Sequence, residues 1–230
     1  MLLAIDTATA NASIALYQDA VLGETTWNVG QDHTRDLLPR VHDLLTVCGR
    51  SMRDVEAVGV GLGPGSFNGL RVGLATAKAM CLALSIPIVG IETPRALAYQ
   101  FRLTNRPVRT LSNAGLGEVA TGLYQASDQL FATLEEPHIT SLEAALNASP
   151  TDTLFCGELR PEWRDAIVAR FGEDGVVPRP AEAARRAGYL AELAWQEYQA
   201  GIVGDAATLQ PLYLRRPAIT GRAGSIGSAR

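Results

Sequence analysis

Lysine is nearly missing from this chain: of its 20 basic residues, Lys78 alone is lysine and the others are arginine. That skew reads as a genomic composition bias, not as a functional signal. Histidine is scarce as well. His33, His42 and His138 are the three present, and none is spaced as His-x-x-x-His or His-Glu-x-x-His. A helical metal site needs two imidazoles one turn apart, so the sequence offers none. Cys48, Cys81 and Cys156 are odd in number, far apart and without a Cys-x-x-Cys pair. They fit reduced thiols of a cytoplasmic core better than a disulfide frame or a zinc ribbon. No Gly-x-Ser-x-Gly elbow and no Gly-Lys-[Ser/Thr] occurs, which removes the usual hydrolase and P-loop signatures. No apolar run reaches the ~20 residues of a membrane span, and a strand-like MLLAID opens the chain without a basic region before it. A soluble, cytoplasmic protein without membrane contact is expected.

What is present describes a well-filled globule. The 230 residues are 47% hydrophobic and 19% charged, enough for one large domain or two closely packed halves. A formal charge of −4 argues against this chain alone being a nucleic-acid surface. A minor contact within a larger assembly stays open.

Periodicity divides the first half clearly. Residues 2–5, 12–18 and 21–27 read as a meander of strands. A helix over about 34–48 carries Leu37, Leu38, Val41, Leu44, Leu45 and Cys48 on one apolar face. Asp32 is its candidate N-cap, Gly49 its C-cap, and Pro39 is expected to kink its first turns. Strand 57–62, helix 67–84, strand 86–91 and helix 93–102 follow, giving β-β-β-α-β-α-β-α over residues 1–105. The second half repeats the theme less clearly: strands 108–113, 118–125 and 129–134, helix 141–147, strand 152–156 and a long helix 181–200. Two related lobes are expected, 1–105 and 106–215, with 216–230 as a flexible tail holding Arg216, Arg222 and Arg230.

Few segments could carry chemistry. Gly63-Pro64-Gly65-Ser66 is a glycine-rich turn from strand to helix, which can expose amides to an anion. It can equally be a tight turn that lets strand and helix pack closely, with Ser66 as the cap. Asp6, followed by Thr7-Ala8-Thr9, ends the first strand where a metal-bound phosphate could be held. However, Ala8 replaces the glycine that such an approach usually needs. Asp6, Gly63, Gly65 and Ser66 are therefore the candidate cofactor residues, beside a plain capping role. Cys48 lies on an apolar face, so it reads as a structural thiol and not as a partner of His42.

The helix of residues 70–84 has few polar residues, only Arg71, Thr76 and Lys78. Its small residues Gly69, Gly73, Ala77 and Cys81 recur every four positions, a row that permits close approach of a neighbour. Either the helix is central within its own domain, or another chain covers its outer face.

Several segments together resemble the TsaB (YeaZ) family. They are Leu3-Ala4-Ile5-Asp6-Thr7-Ala8-Thr9, Ser13-Ile14-Ala15-Leu16, His33-Thr34, Leu37-Leu38-Pro39, Gly63 to Arg71 and Pro211-Leu212-Tyr213-Leu214-Arg215. The resemblance implies a two-lobed α/β fold of the actin/Hsp70/sugar-kinase type, each lobe RNase H-like with a mixed sheet. It implies a non-catalytic pairing subunit in forming threonylcarbamoyladenosine beside the tRNA anticodon. The implied partners are a TsaD-type paralogue as heterodimer, a TsaE-type ATPase, a second copy as homodimer, and tRNA mainly through the complex. It places pairing on first-lobe helices, so Leu37, Val41, Leu70, Arg71, Leu74 and Lys78 are the candidate interface. No catalytic residue and no metal is expected, nor a cofactor in the isolated chain, with a nucleotide at a subunit interface left open. The family often carries Asp-Ala-Arg and then Glu-Val-Tyr where this chain has Asn113-Ala114-Gly115 and Glu118-Val119-Ala120, so contact roles of that Asp, Arg and Tyr do not transfer. The rival reading is an independent ATPase or kinase of the same fold, using Asp6 and the glycine-rich loop. Peptidase activity lacks both a nucleophile–base pair and a metal site.

Overall fold

A computed structural model describes residues 1–29, 33–126, 131–172 and 177–215. Asp32 and the tail from Arg216 lie outside the described residues. The first sheet contains β1 (Leu2–Asp6), β2 (Asn11–Tyr17), β3 (Val21–Asn28), β4 (Ala57–Gly61) and β5 (Ile88–Ile91), in the spatial order β3-β2-β1-β4-β5. The first three strands run antiparallel; β4 and β5 join β1 in parallel. The sheet is covered on both faces, which is why residues 2–5 are uninterruptedly apolar. Alternate side chains sort to opposite cores. Leu3, Ile5, Ile14 and Leu16 meet α1 (His33–Val47) and α2 (Phe67–Leu84), whereas Leu2, Ala4 and Ala15 meet α6 (Ala187–Gln199).

Local chemistry sets the helix ends. Gly49 at φ 62° closes α1: its amide donates to the Thr46 carbonyl at 3.0 Å, and Arg50 donates to Leu45 at 2.8 Å. These bonds satisfy the last carbonyls with glycine in the left-handed position, as the sequence led us to expect. Ser66 caps α2 through a 3.4 Å contact from the Gly69 amide to its Oγ. The row Gly69, Gly73, Ala77 and Cys81 faces inward, onto the lobe's own sheet. A Cβ on Gly73 would collide with Thr7 Oγ1, so the helix lies as close as it does because that residue has no side chain. The neighbour admitted at Gly69 and Gly73 is Thr7, in the turn that follows β1.

A smaller sheet repeats the connectivity. β6 (Pro107–Gly115), β7 (Glu118–Ala126), β8 (Phe131–Ser141) and β9 (Leu154–Gly157) stand in the order β8-β7-β6-β9, with β9 parallel to β6. Each sheet thus has an antiparallel three-strand meander followed by a parallel strand on its far side. β8 is longer than the 129–134 read from sequence and carries Pro137; as an edge strand it needs no inward amide there. α4 (Leu142–Asn147) and α5 (Pro161–Phe171) pack on this sheet around Phe155, Trp163 and Ile167. α5 is an element that the sequence reading lacked.

The division at 105/106 needs correction for the last helix. α6 returns to the first sheet, with Leu190, Ala191, Leu193 and Ala194 in the core that holds Leu2, Val89 and Ile91. Beyond it, Leu209 also packs against the first lobe, and the Leu212 amide donates to Leu62 at 2.8 Å. The second body is accordingly built from β6 to α5. Between the two lies α3 (Thr93–Tyr99), whose Leu97 and Ala98 pack against Val108, Tyr124, Leu154 and Cys156 of the second sheet.

Candidate functional site

β1 delivers Asp6 to the floor of the seam between the lobes, where it is 4% exposed. One carboxylate oxygen accepts the Ala8 amide at 3.0 Å. The other accepts Nε and a terminal nitrogen of Arg185 at 3.2 and 2.8 Å. Arg185 lies 179 residues away in sequence, on the segment leading into α6, and is 8% exposed. A guanidinium thus stands against the carboxylate that a metal-bound phosphate would require. A buried carboxylate already paired in this way gains little from a second cation and would have to release the first.

The glycine-rich turn is similarly engaged. The Gly63 amide donates to Thr93 Oγ1 at 3.1 Å and the Ser66 amide to the Ala8 carbonyl at 2.6 Å. A Cβ on Gly65 would run into Ala8. The turn therefore joins the end of β1, the start of α3 and the start of α2, and its Gly63 and Ser66 amides are bonded within the protein. Asp6 and Ser66 are brought to one neighbourhood through Ala8, but the residues present do not fit a metal-bound nucleotide.

Burial pushes the Cys81 thiol up to about 11 and raises that of Cys156 as well, so neither supplies a thiolate near neutral pH. Cys48 donates weakly to the Leu22 carbonyl at 3.6 Å. His42 is exposed, and His138 stands 3.2 Å from Glu135 on the second sheet. Among the described residues, no group of three or more His, Cys, Asp and Glu side chains could hold a metal ion.

The expected pairing residues separate into two sets. Leu37 (1% exposed), Val41 (2%), Leu70 (1%) and Leu74 (5%) are buried in the lobe, with Leu74 also at the base of a surface groove beside Arg71, Lys78 and Tyr213. Their apolar periodicity reflects the core, which is the first demand on an amphipathic helix. Arg71 and Lys78 do reach the surface. Arg71 stacks over Phe67 at 3.8 Å, Phe67 meets Tyr213 at 5.5 Å, and Lys78 donates to the Ala207 carbonyl at 3.3 Å. The outer ridge of α2 continues through Ala75, Ala79 and Leu82, the last 65% exposed. On α1, Leu38 (55%) and Val47 (85%) are also uncovered.

Sequence reasoning missed Arg185 altogether. The one available hint was Arg185-Arg186, a pair of cations directly before an apolar helical run. Arg186 bonds Glu24 through two nitrogens at 3.0 and 2.8 Å, so both cations tie the start of α6 to the first sheet.

Comparison with known proteins is consistent across sequence and structure. Residues 23–157 match the family model described as TsaD: tRNA N6-adenosine threonylcarbamoyltransferase. The tRNA threonylcarbamoyladenosine biosynthesis protein TsaB of Bacillus subtilis is 30% identical over 218 residues, 93% of each chain. The protein of that name from Escherichia coli is 36% identical over 129 residues, 55% of this chain and 56% of its own length. The structure of YeaZ from Pseudomonas aeruginosa superposes with a TM-score of 0.75 at 26% identity, covering 92% of this chain and 99% of that one. A ROK hexokinase from Thermus thermophilus, at 11% identity and a TM-score of 0.50, shares the fold alone. With two mixed sheets of repeated connectivity, the architecture is the two-lobed actin-like, sugar-kinase type, and the chain belongs to the TsaB (YeaZ) family.

Proposed function

We propose that this protein is a non-catalytic pairing subunit in the formation of threonylcarbamoyladenosine beside the tRNA anticodon. In this reading it binds a TsaD-type paralogue and holds it in a working state, with a TsaE-type ATPase joining and tRNA met mainly through the complex, in the cytoplasm. A homodimer forms through the same face when the paralogue is absent. The Asp6–Arg185 pair is the observation that carries the reading. In a fold built around a cleft, the carboxylate best placed to assist phosphate chemistry is buried against an internal cation. That observation also counts against the rival, an independent ATPase or kinase using Asp6 and the turn at Gly63–Ser66.

The proposed pairing face is the outer ridge of α2 with its neighbour α1: Arg71, Ala75, Lys78, Ala79 and Leu82, flanked by Leu38 and Val47. Leu37, Val41, Leu70 and Leu74 back this ridge from inside. Small residues at four-residue spacing allow a partner helix to lie close, and a stable interface would bury about 1,600 Å² in total. The test is size-exclusion chromatography with light scattering, on this chain alone and mixed with its TsaD-type paralogue. Conversion to a one-to-one heterodimer is expected, lost in Ala79→Arg while the melting temperature stays unchanged. Failure of the native chain to associate, or association that survives Ala79→Arg, would overturn the assignment. Saturable, partner-independent ATP hydrolysis would restore the rival.

A further inference from the structure

A second feature of the seam is independent of pairing. A cleft of about 420 Å³ opens beside Arg185, between the turn that follows β9, the segment before α6 and Asn11 at the start of β2. Its volume lies within the roughly 300–1,000 Å³ of small-molecule sites. Its walls carry three guanidiniums, Arg160, Arg164 and Arg185, against one carboxylate, Glu158. The chain as a whole has a net charge of −4, so this concave positive surface runs against the protein's overall sign.

Those cations are unequally compensated. Arg185 is bonded to Asp6. Arg164 donates to the Pro178 carbonyl at 3.2 Å, which fixes its position without neutralising it. Arg160 rests over Trp163 at 5.2 Å and comes no nearer than 3.9 Å to Glu162. Arg160 is the residue immediately before α5 and Arg164 stands in its first turn, and both side chains line the cleft. Two adjacent guanidiniums in a concave wall favour a compact dianion held through forked hydrogen bonds. Leu159, Pro180, Ala183 and Ala184 add an apolar wall suited to a flat or weakly polar group attached to that anion. Gly157, at φ 122°, keeps the turn bare, because a Cβ there would strike the Leu111 carbonyl.

We propose that this cleft is a metal-independent binding site for a small phosphate monoester, with Arg160 and Arg164 holding the phosphate. Asp6 has no part in it, since Arg185 already occupies its carboxylate. Isothermal titration in low salt with EDTA, using AMP, adenosine, inorganic phosphate and citrate as probes, tests the site directly. AMP is expected to bind, more tightly than inorganic phosphate or citrate, with adenosine silent. Arg164→Gln and Arg160→Gln should each weaken AMP by roughly tenfold or more. Arg160 is half exposed, so its variant keeps the test informative should Arg164→Gln fail to fold. Absence of AMP binding, equal binding of adenosine or citrate, or affinity unchanged in the arginine variant that folds would overturn the proposal. Inorganic phosphate binding as tightly as AMP would reduce the site to an anion hole and overturn the monoester assignment.

Discussion

The two lobes share a strand plan but solve the burial of charge differently. In the first, the buried charge is Asp6 at the end of the central strand, and its counter-ion Arg185 arrives from the far end of the chain. In the second, the buried charge is Arg109 within the central strand, fully enclosed and satisfied by its own lobe. It donates to Ser149 Oγ at 2.7 Å, Thr121 Oγ1 at 3.2 Å, Glu135 at 2.8 Å and the Ala148 carbonyl at 3.4 Å. The first arrangement binds remote segments together at the seam. The second only consolidates one small sheet, which is covered by helices less completely than its counterpart. The seam is thus where the fold invests its long-range polar contacts.

Removing each arginine tests that contrast, and the largest effect is expected in the first lobe. Arg185→Ala leaves Asp6 buried without a counter-ion, and such uncompensated burial costs about 3–5 kcal/mol. Arg109→Ala should cost less, about 1–3 kcal/mol, because the Glu135 side chain is 32% exposed and water can replace the lost partner. Urea unfolding of the two variants gives the comparison. A cost for Arg109→Ala equal to or above that of Arg185→Ala would show that the internal network matters more than the remote pair.

A smaller effect with a defined pH dependence is expected where the lobes face each other. Glu92, just before α3, is held above the usual carboxyl range, first by burial and next by the charge of Glu136 on the second sheet; Arg95 opposes the shift and Glu197 adds to it. The fold therefore disfavours the charged form. Stability falls as pH rises from the unfolded carboxyl's pKa, about 4.3, through the higher folded value, and the loss is complete above it. Glu92→Gln should raise the melting temperature at neutral pH, with the gain shrinking toward zero as the pH drops to about 4. A gain that does not vary with pH would mean that electrostatics across the seam is not its source.

The contrast between the lobes also explains what could be read from the sequence. The elements of residues 1–105 were legible because β1 is covered on both faces and α1 and α2 bury one clear stripe each. α5 was not, since PEWRDAIVARF buries only Trp163 and Ile167 and shows no strong stripe. Periodicity identifies a helix but not the sheet beneath it, so the return of α6 to the first lobe had no sequence signature. The same limit affected the interface residues: Leu37, Val41, Leu70 and Leu74 were recognisable as apolar, but a buried stripe and a partner-facing stripe look alike until the sheet is in place. At the candidate site, Asp6 and the turn at Gly63–Ser66 were visible as local motifs. Their engagement by Arg185, Ala8 and Thr93 was not, because each of those contacts joins separate parts of the chain.

The smallest effect is expected at the strap that runs over the seam from outside. Leu212 donates to Leu62 in the first lobe at 2.8 Å, Tyr213 packs on Phe67 at 5.5 Å, and Arg215 then reaches Glu118 and the Ala114 carbonyl of the β6–β7 hairpin. The Arg215 and Glu118 side chains are 41% and 38% exposed, so water and salt screen their attraction. Arg215→Ala should therefore change global stability by only about 0.2–1 kcal/mol. Its local consequence is more specific. Amide hydrogen exchange is expected to accelerate in residues 212–215 and at the hairpin tip, while the amides of β1 and β4 keep their protection. Unchanged exchange in the strap would mean that Leu212 and Tyr213 hold it without Arg215. Acceleration reaching β1 would mean that the strap, and not the Asp6–Arg185 pair, is the main tie between the lobes.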